Sequence, residues 1–384
     1  MRPRSPDEGH RASTPLELFF DLVFVVAIAH AAGHLHHAVA DAHVAEGILS
    51  YVMVFFAIWW AWMNFTWFAS AYDTDDVPYR LATFVQLTGC LILAAGVPRA
   101  FDAHDFTTMT YGYVIIRLAL VGQWLRAARS DSDRRACAHR YALGVTVCQL
   151  GWVGLLFVPR EWALPGFLAL VIAELLVPMW AERACATTWH PGHIAERYGL
   201  FTIIVLGESI LAASFAIQSA IQTGDVTTDL AMIIVGGLLI VFSMWWLYFD
   251  RPMEGLLTSL PRAFLWGYGH FAIFASVAAV GAGLGVAVDH ATGHAEIGAF
   301  GAGAATAVPV GVYLLSLWGL HIRLGTALPA GAGLTPLAVL LILLTPWTGQ
   351  GVFLTGLLVA GLLAVKLVKR HRSAAFVGTR PRGG

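Results

Sequence analysis

The run Tyr198-Gly-Leu-Phe-Thr-Ile-Ile-Val-Leu-Gly-Glu-Ser-Ile-Leu-Ala-Ala-Ser-Phe-Ala-Ile217 decides the class of this protein. It is almost entirely apolar, and at about 1.5 Å per helical residue it is long enough to cross a bilayer core about 30 Å thick. One acid, Glu208, interrupts it near its middle. A charged group at a helix centre costs about 2.5 to 3.5 kcal/mol even by low estimates. We therefore expect Glu208 to face protein, water or a partner charge, and to mark a functional site.

The whole chain has the composition of a membrane protein. Of its 384 residues, 58% are hydrophobic and 12% are charged, whereas about a quarter of the residues in soluble domains are charged. The sequence therefore predicts an all-α polytopic membrane protein with about twelve transmembrane helices. The eleventh span is short and flanked by prolines, so a broken or re-entrant segment stays open there. The predicted spans are 16–38, 45–69, 79–98, 106–126, 138–158, 162–181, 195–218, 229–249, 263–287, 299–322, 332–346 and 350–367.

Arginine and lysine predict the orientation, because short translocated loops avoid positive charge. With the N-terminus in the cytoplasm, 20 of the 23 basic residues fall on the cytoplasmic side. Both termini are therefore predicted to be cytoplasmic. The basic residues are sorted by topology and are not gathered for nucleic acid, so no nucleic-acid partner is expected. The polar first fifteen residues show no cleavable signal peptide.

Two parts of the chain resemble each other. Trp59-Trp60 in the second span matches Trp245-Trp246 in the eighth, and Glu17 at the first span matches Glu196 at the seventh. This likeness predicts two six-helix repeats. The repeats have the same orientation, because each contains an even number of spans. Chance likeness between apolar helices is the competing explanation. The predicted organisation is a cytoplasmic tail over 1–15, a first repeat over 16–181, a second repeat over 195–367 and a basic tail over 368–384.

Several ionisable residues fall inside the predicted spans. Glu17 and Asp21 are four residues apart, so they share one helix face, where a pair of like charges suits proton exchange. Capping of the helix by Glu17 is the alternative. Arg117, near the middle of the fourth span, needs a carboxylate partner, for which Asp21, Glu174 and Glu208 are the candidates. Because the acids outnumber this base, one is left for a proton or cation, unless the network only fixes helix packing.

Two polar segments open spans on the predicted cytoplasmic side, one before the third span and one before the seventh. Acidic residues and proline occupy the positions that are favoured at a helix N-terminus, so capping explains part of the composition of both segments. Arg197 and Glu208 are eleven residues apart and share one helix face, as the lining of a hydrophilic pathway would. The candidate residues of these segments are Asp73, Asp75, Asp76, Arg80, His193, Glu196 and Arg197.

Histidine and tryptophan also recur in patterns. His30, His34 and His37 form a stripe toward the outer end of the first span, and imidazoles at i and i+4 can share a metal ion. The alternative is that these histidines are ordinary polar residues on the outer side of the membrane. The tryptophans near Trp59 suggest an interfacial belt. No nucleotide-binding loop, nucleophile elbow, haem or zinc-protease motif is visible, so we expect neither an enzyme nor a cofactor.

Three ordered motifs resemble the bacterial low temperature requirement A (LtrA) family. They are Thr14-Pro-Leu-Glu-Leu-Phe-Phe-Asp-Leu-Val-Phe-Val25, the segment from Asp73 to Arg80, and the segment from His193 to Ser209. The likeness extends to about residue 370. It implies a bacterial inner-membrane protein linked by the family name to growth in the cold, and it supplies no substrate.

A fainter likeness concerns mechanism. Phe20-Asp21 resembles the Phe-Ser-Asp motif that opens the first helix of the endolysosomal-type potassium channels, which also carry two six-helix repeats. Here Phe20 stands in place of the serine, and the second half has Leu200-Phe201 with no aspartate. Only the first half of the chain therefore has part of the motif that a channel filter built symmetrically from both halves would need.

The leading hypothesis from the sequence is a secondary, proton-coupled transporter. Asp21 and Glu208 would carry protons or cations, and Arg117 would be the counter-charge. A cation channel and a membrane sensor or scaffold are the alternatives, and an intramembrane enzyme would need a nucleophile and base that the sequence does not show. The expected partners are the lipid bilayer and a small ion or small molecule that the sequence does not name, and a homo-oligomer is left open.

Overall fold

The structure, a computed structural model, describes residues 1–5, 8–9, 11–223, 227–251, 254–325 and 332–378. Within these ranges the chain is all-helical, with twelve α-helices, two short 3₁₀ turns and no β-strand, so the predicted all-α class is confirmed. The α-helices are α1 (Pro15–Ala40), α2 (Val44–Tyr72), α3 (Val77–Asp102), α4 (Thr107–Ser130), α5 (Arg135–Leu155), α6 (Arg160–Glu182), α7 (Pro191–Thr223), α8 (Thr228–Phe249), α9 (Leu260–Ala291), α10 (Ala299–Leu324), α11 (Leu334–Leu344) and α12 (Gly351–Gly378).

Each predicted span corresponds to one of these helices, but they differ in how well they suit a bilayer. Among the described residues, eight helices are long and apolar enough to cross it: α1, α2, α3, α6, α8, α9, α10 and α12. Charge sets α4 apart, because it contains Arg117, Arg126 and Arg129. Length sets α11 apart, because its eleven residues span only about 16 Å before a 3₁₀ turn over Thr345–Thr348.

Side-chain caps fix where several helices begin. The Asp76 carboxylate accepts a hydrogen bond from the Tyr79 N–H at 3.0 Å, and Pro78 occupies the first turn of α3. At α1, the Thr14 N–H donates to Glu17 Oε2 at 2.8 Å, while the Glu17 N–H donates to the Thr14 hydroxyl at 3.3 Å. This reciprocal pair is a capping box, so Glu17 does cap the first helix.

The chain divides into two compact units. Unit 1 comprises Met1–His34 and Ala45–Ile204, and unit 2 comprises Leu35–Val44 and Val205–Gly384, so the three boundaries fall inside α1, after the first residue of α2 and inside α7. In unit 1, α3 packs on α4, α4 on α5 and α5 on α6. In unit 2, α9 packs on α10, and α8 packs on α12.

Glycines bring α3 and α4 into backbone contact and fix their register. A Cβ added at Gly89 would lie 2.8 Å from the Gly112 carbonyl oxygen, and one at Gly96 would lie 2.6 Å from the Met109 amide nitrogen. Residue 89 is therefore opposite residue 112, and residue 96 is opposite residue 109, as in an antiparallel pair. Small residues allow this close approach, which van der Waals contact stabilises inside a membrane.

We expect Gly89→Ala to destabilise the protein by about 1 to 3 kcal/mol, because the new methyl group overpacks the contact between α3 and α4. Gly122→Ala on α4 is the matched control, since a Cβ there meets nothing within 4 Å. The control should leave the protein unchanged or more stable by up to about 1 kcal/mol, since alanine favours a helix. Thermal unfolding of both purified variants tests this, and equal midpoints would contradict it.

Candidate functional site

Four ionisable side chains of α1 and α7 meet inside unit 1, and we call them the Arg197 cluster: Glu17, Asp21, His193 and Arg197. The Arg197 Nη1 atom is 3.0 Å from Oε1 of Glu17, and Nη2 and Nε lie 2.5 and 3.2 Å from the two oxygens of Asp21. The His193 Nε2 atom is 3.0 Å from the same Glu17 oxygen. All four side chains are completely buried.

Helical spacing explains why these four side chains can meet. Glu17 and Asp21 are four residues apart on α1, and His193 and Arg197 are four apart on α7, so each pair forms a stripe along one helix face. The acidic stripe faces the basic one. Asp21 also accepts a hydrogen bond from the indole Nε1 of Trp62 at 2.6 Å.

Glu17 performs two tasks with its two oxygens. Its Oε2 atom accepts from the Thr14 N–H and hydroxyl in the capping box, while its Oε1 atom lies against Arg197 and His193. The helix capping that the sequence offered for Glu17 is therefore compatible with a place in a buried charge cluster, and its role in proton exchange stays a prediction.

A second group surrounds one carboxylate, and we call it the Glu174 cluster. Oε2 of Glu174 accepts from Arg117 Nη2 at 2.6 Å and from Trp60 Nε1 at 2.9 Å. Its other oxygen accepts from three donors at 3.2 Å each, which are Tyr113 Oη, Gln149 Nε2 and Trp152 Nε1. Of the three acids that the sequence offers as partners of Arg117, Glu174 is thus the one that pairs with it in unit 1. Five donors saturate this carboxylate.

Three tryptophans of α2 are buried and do not form an interfacial belt, and two of them, Trp60 and Trp62, contact these clusters. Trp59, Trp60 and Trp62 are at most 2% exposed, so the belt interpretation is wrong for them. Residues two apart on a helix point about 200° apart, which lets Trp60 reach Glu174 and Trp62 reach Asp21. One feature of the sequence could have predicted these contacts: a buried indole N–H needs an acceptor, and acidic residues in the neighbouring spans can supply it.

Most of the acidic residues in the segment between α2 and α3 have a structural role. Asp75 pairs with Arg80 at 2.6 Å on the surface, and Asp76 pairs with Arg126, which lowers the pKa of Asp76 to about 2. Asp73 is buried, 3.9 Å from the Arg11 guanidinium. Burial, reinforced by the Glu17 carboxylate and partly offset by Arg11, raises the pKa of Asp73 to about 6.

The remaining candidates lie apart from these clusters. Glu196 accepts a hydrogen bond from the Ser13 N–H at 3.1 Å, and Glu208 is half-buried on the part of α7 that belongs to unit 2. His30 and His37 are exposed, and His34 lies against the Phe101 ring. Over the described ranges of the chain, no three His, Cys, Asp or Glu side chains are grouped as metal ligands.

The comparison with known families identifies the chain. The family described as "Bacterial low temperature requirement A protein (LtrA)" matches residues 12–369. The chain belongs to the LtrA family. An uncharacterized protein of Rhizobium meliloti (strain 1021) is 28% identical to it over 294 residues, which cover 72% of this chain and 69% of that protein. Family membership and eight apolar helices make this chain an LtrA membrane protein, and both clusters lie within the matched residues.

We expect Glu174→Gln to cost about 3 to 5 kcal/mol of stability, because it leaves the buried Arg117 guanidinium without its counter-charge. Arg117→Met should also destabilise the protein. The double variant should lose less than the sum of the two losses, with a coupling of about 1 kcal/mol or more. A double-mutant cycle of thermal or denaturant unfolding measures this coupling, and additive losses would contradict the pairing.

Asp73 should make stability depend on pH. Its folded pKa of about 6 lies above the value of about 3.9 in an unfolded chain, so the folded state binds the proton more tightly. Stability contributed by Asp73 is therefore greatest at about pH 4 and falls as the pH rises to about 6, by at most about 3 kcal/mol. Unfolding of Asp73→Asn between pH 4 and pH 7 should lack this component, and parallel profiles for both proteins would contradict it.

Proposed function

We propose that this LtrA protein is a proton-coupled secondary transporter of the bacterial inner membrane, and that the Arg197 cluster carries the proton. The observation behind the proposal is the charge of the cluster. Two carboxylates face one guanidinium, all completely buried, so the group has a net charge of −1 while His193 is neutral. Burial of a net charge is costly, and one added proton makes the cluster neutral. This is the property of a site that binds and releases one proton.

The geometry also suggests how a proton would be coupled to movement. Arg197 forms ion pairs with Glu17 on one side and with Asp21 on the other, while His193 Nε2 lies at the same distance from Oε1 of Glu17 as Arg197 does. A proton on either carboxyl group removes one partner of Arg197, and a proton on His193 gives Glu17 a second cation. Each change alters the attraction between α1 and the N-terminal part of α7. Such a change in helix pairing is what alternating access requires.

The two clusters would have different tasks. Arg117 and Glu174 balance each other, and five donors satisfy the carboxylate, so this pair is best suited to a fixed support. Arg117 then is not the counter-charge of the mobile proton, and Arg197 takes that role in the proposal. Glu208 remains a proposed second carrier, because it is a half-buried acid in an apolar run of α7.

The proposed setting follows the sequence. Both termini would lie in the cytoplasm, because 20 of the 23 basic residues then fall on that side. The two six-helix repeats, 16–181 and 195–367, would begin with α1 and α7. These two helices contribute complementary halves of the Arg197 cluster, which supports a shared site at the equivalent helices of the two repeats.

Proton flux in proteoliposomes tests the proposal. Purified wild-type protein should acidify or alkalinise a vesicle that holds a pH-sensitive dye when stepwise gradients of K⁺, Na⁺ or divalent ions are imposed. Glu17→Gln and Asp21→Asn should each lower this flux at least tenfold, because each removes one of the two acids that give the cluster its odd charge. Glu208→Gln should lower it too if Glu208 is a second carrier.

The matched control is Glu161→Gln, which removes an exposed carboxylate in the first turn of α6 and should leave the flux unchanged. Wild-type flux in Glu17→Gln and Asp21→Asn, with both proteins folded, would overturn the role of the cluster. Silence of the folded wild type under every gradient would overturn coupling to these ions.

A further inference from the structure

Unit 2 contains a cavity of about 240 Å³, which we call the unit 2 cavity. The first turns of α8, α10 and α12 and the last turn of α9 contribute to its lining. All of its lining residues belong to unit 2. With both termini in the cytoplasm, as proposed above, these helix ends lie on the outer side of the membrane. The cavity is thus a site apart from the two charge clusters.

Small residues make room for the unit 2 cavity. Gly303 of α10 and Gly351 of α12 both line it, and a Cβ added at Gly351 would lie 3.0 Å from the Gly303 Cα atom. Gly349, at a φ of 76°, turns the chain into α12. Four alanines of α9 and α10 also line the cavity: Ala287, Ala291, Ala299 and Ala302. Because these side chains end at Cβ or have none, the space between the helix backbones stays open.

Three polar side chains line the cavity from different elements. Asp229 lies in the first turn of α8, His290 in the last turn of α9, and Gln350 directly before α12. Among the lining residues, Asp229 is the one that carries a charge while His290 is neutral. Asp229 is not the cap of its helix, because the Thr227 hydroxyl accepts the hydrogen bond from the Leu230 N–H at 3.2 Å. The lining therefore presents one carboxylate to a cationic group.

Backbone donors also lie at the cavity. Gly351, Val352 and Phe353 are the first three residues of α12, where N–H groups have no partner within the helix. Ala299 is the first residue of α10, a helix without a side-chain cap. Such amides are suitable partners for a carboxylate. They add to the charge of Asp229, so the lining matches a molecule that has one positive and one negative group.

The volume of the cavity limits the size of that molecule. Each molecule of liquid water takes about 30 Å³, so the cavity has room for about eight waters or a similar number of non-hydrogen atoms. It is smaller than the pockets of about 300 to 1,000 Å³ that hold drug-sized ligands. A single inorganic ion would leave most of it unfilled. Met232, Ile233 and Phe353 offer apolar contact to a short side chain.

We propose that the unit 2 cavity binds a free α-amino acid with a small, uncharged side chain. Its ammonium group pairs with Asp229, and its carboxylate accepts from the first amides of α12. His290 and Gln350 offer hydrogen bonds to its remaining polar atoms. Binding stands on the cavity alone, whereas a task of the same amino acid as transported substrate rests on the transport proposed above.

Thermal unfolding of the purified full-length protein tests for the site, with each standard amino acid added singly at about 10 mM. At least one uncharged amino acid should raise the unfolding midpoint by several degrees. The 2-hydroxy acid and the amino alcohol that correspond to it lack the ammonium group and the carboxylate, so each should bind at least tenfold more weakly in calorimetric titration. No shift with any amino acid, or equal binding of the hydroxy acid, would overturn the proposal.

Asp229→Asn tests the residue that gives the cavity its charge, and it should weaken binding of that amino acid at least tenfold. Binding is the measured quantity because Asp229 also complements the dipole of α8. Glu296→Gln is the matched control, since Glu296 is an exposed acid between α9 and α10 and lies outside the cavity lining. Ala299→Phe should also weaken binding tenfold by filling the cavity, with Asp229 in place. Wild-type affinity in Asp229→Asn would overturn the proposal.

The results also distinguish this site from the transport function. Binding that depends on Asp229, in a protein that moves no protons, would support the cavity as an amino-acid site and overturn its use in transport. Proton flux that depends on Glu17, with no amino acid bound, would overturn the cavity proposal and leave the Arg197 cluster as the proton site.

Discussion

The need to compensate charge inside an apolar helix bundle organises unit 1. Arg117 and Arg197 are both completely buried, and each guanidinium requires carboxylates because no bulk water reaches it. Arg197 thereby holds α7 to α1, and Arg117 holds α4 to α6 through Glu174. Trp60 and Trp62 add α2 to both groups. The apolar surfaces would let these helices pack in several ways, but few arrangements bring every charge to its partner.

The same constraint underlies the proposed distinction between a fixed group and one that changes its charge. Around Glu174 the acid and the base are equal in number, and five donors satisfy the carboxylate. Among the four residues of the Arg197 cluster the acids outnumber the arginine by one, and His193 lies 3.0 Å from Glu17. The buried Arg11 and Asp73 also interact electrostatically with Glu17. In the proposed function, the two ion-pair clusters of this helix bundle therefore have different tasks because of a single charge. Buried ion pairs by themselves say little about transport, and it is this odd charge that carries the argument.

The sequence located the important ionisable residues but not their pairing. Charged residues in apolar runs are conspicuous, so Glu17, Asp21, Arg117 and Glu174 could be singled out from composition and helical spacing alone. Their partners lie far away along the chain: Arg117 and Glu174 are 57 residues apart, and Asp21 and Arg197 are 176 apart. Helix periodicity gives the face of each residue but not which faces meet. The tryptophans show the same limit, because indole rings suit an interface and a buried hydrogen bond equally well.

The sequence by itself determined the membrane class, the helices of the described residues and the set of acids and bases within the apolar runs, because these depend on composition and local periodicity. It also indicated the family, through three motifs that resemble it. Only the tertiary structure decided that Arg197 joins Glu17 and Asp21, and that Glu174 is the partner of Arg117. The physical reason is that hydropathy and helix propensity act along the chain over a few turns, whereas charge compensation acts between helices that meet only after folding.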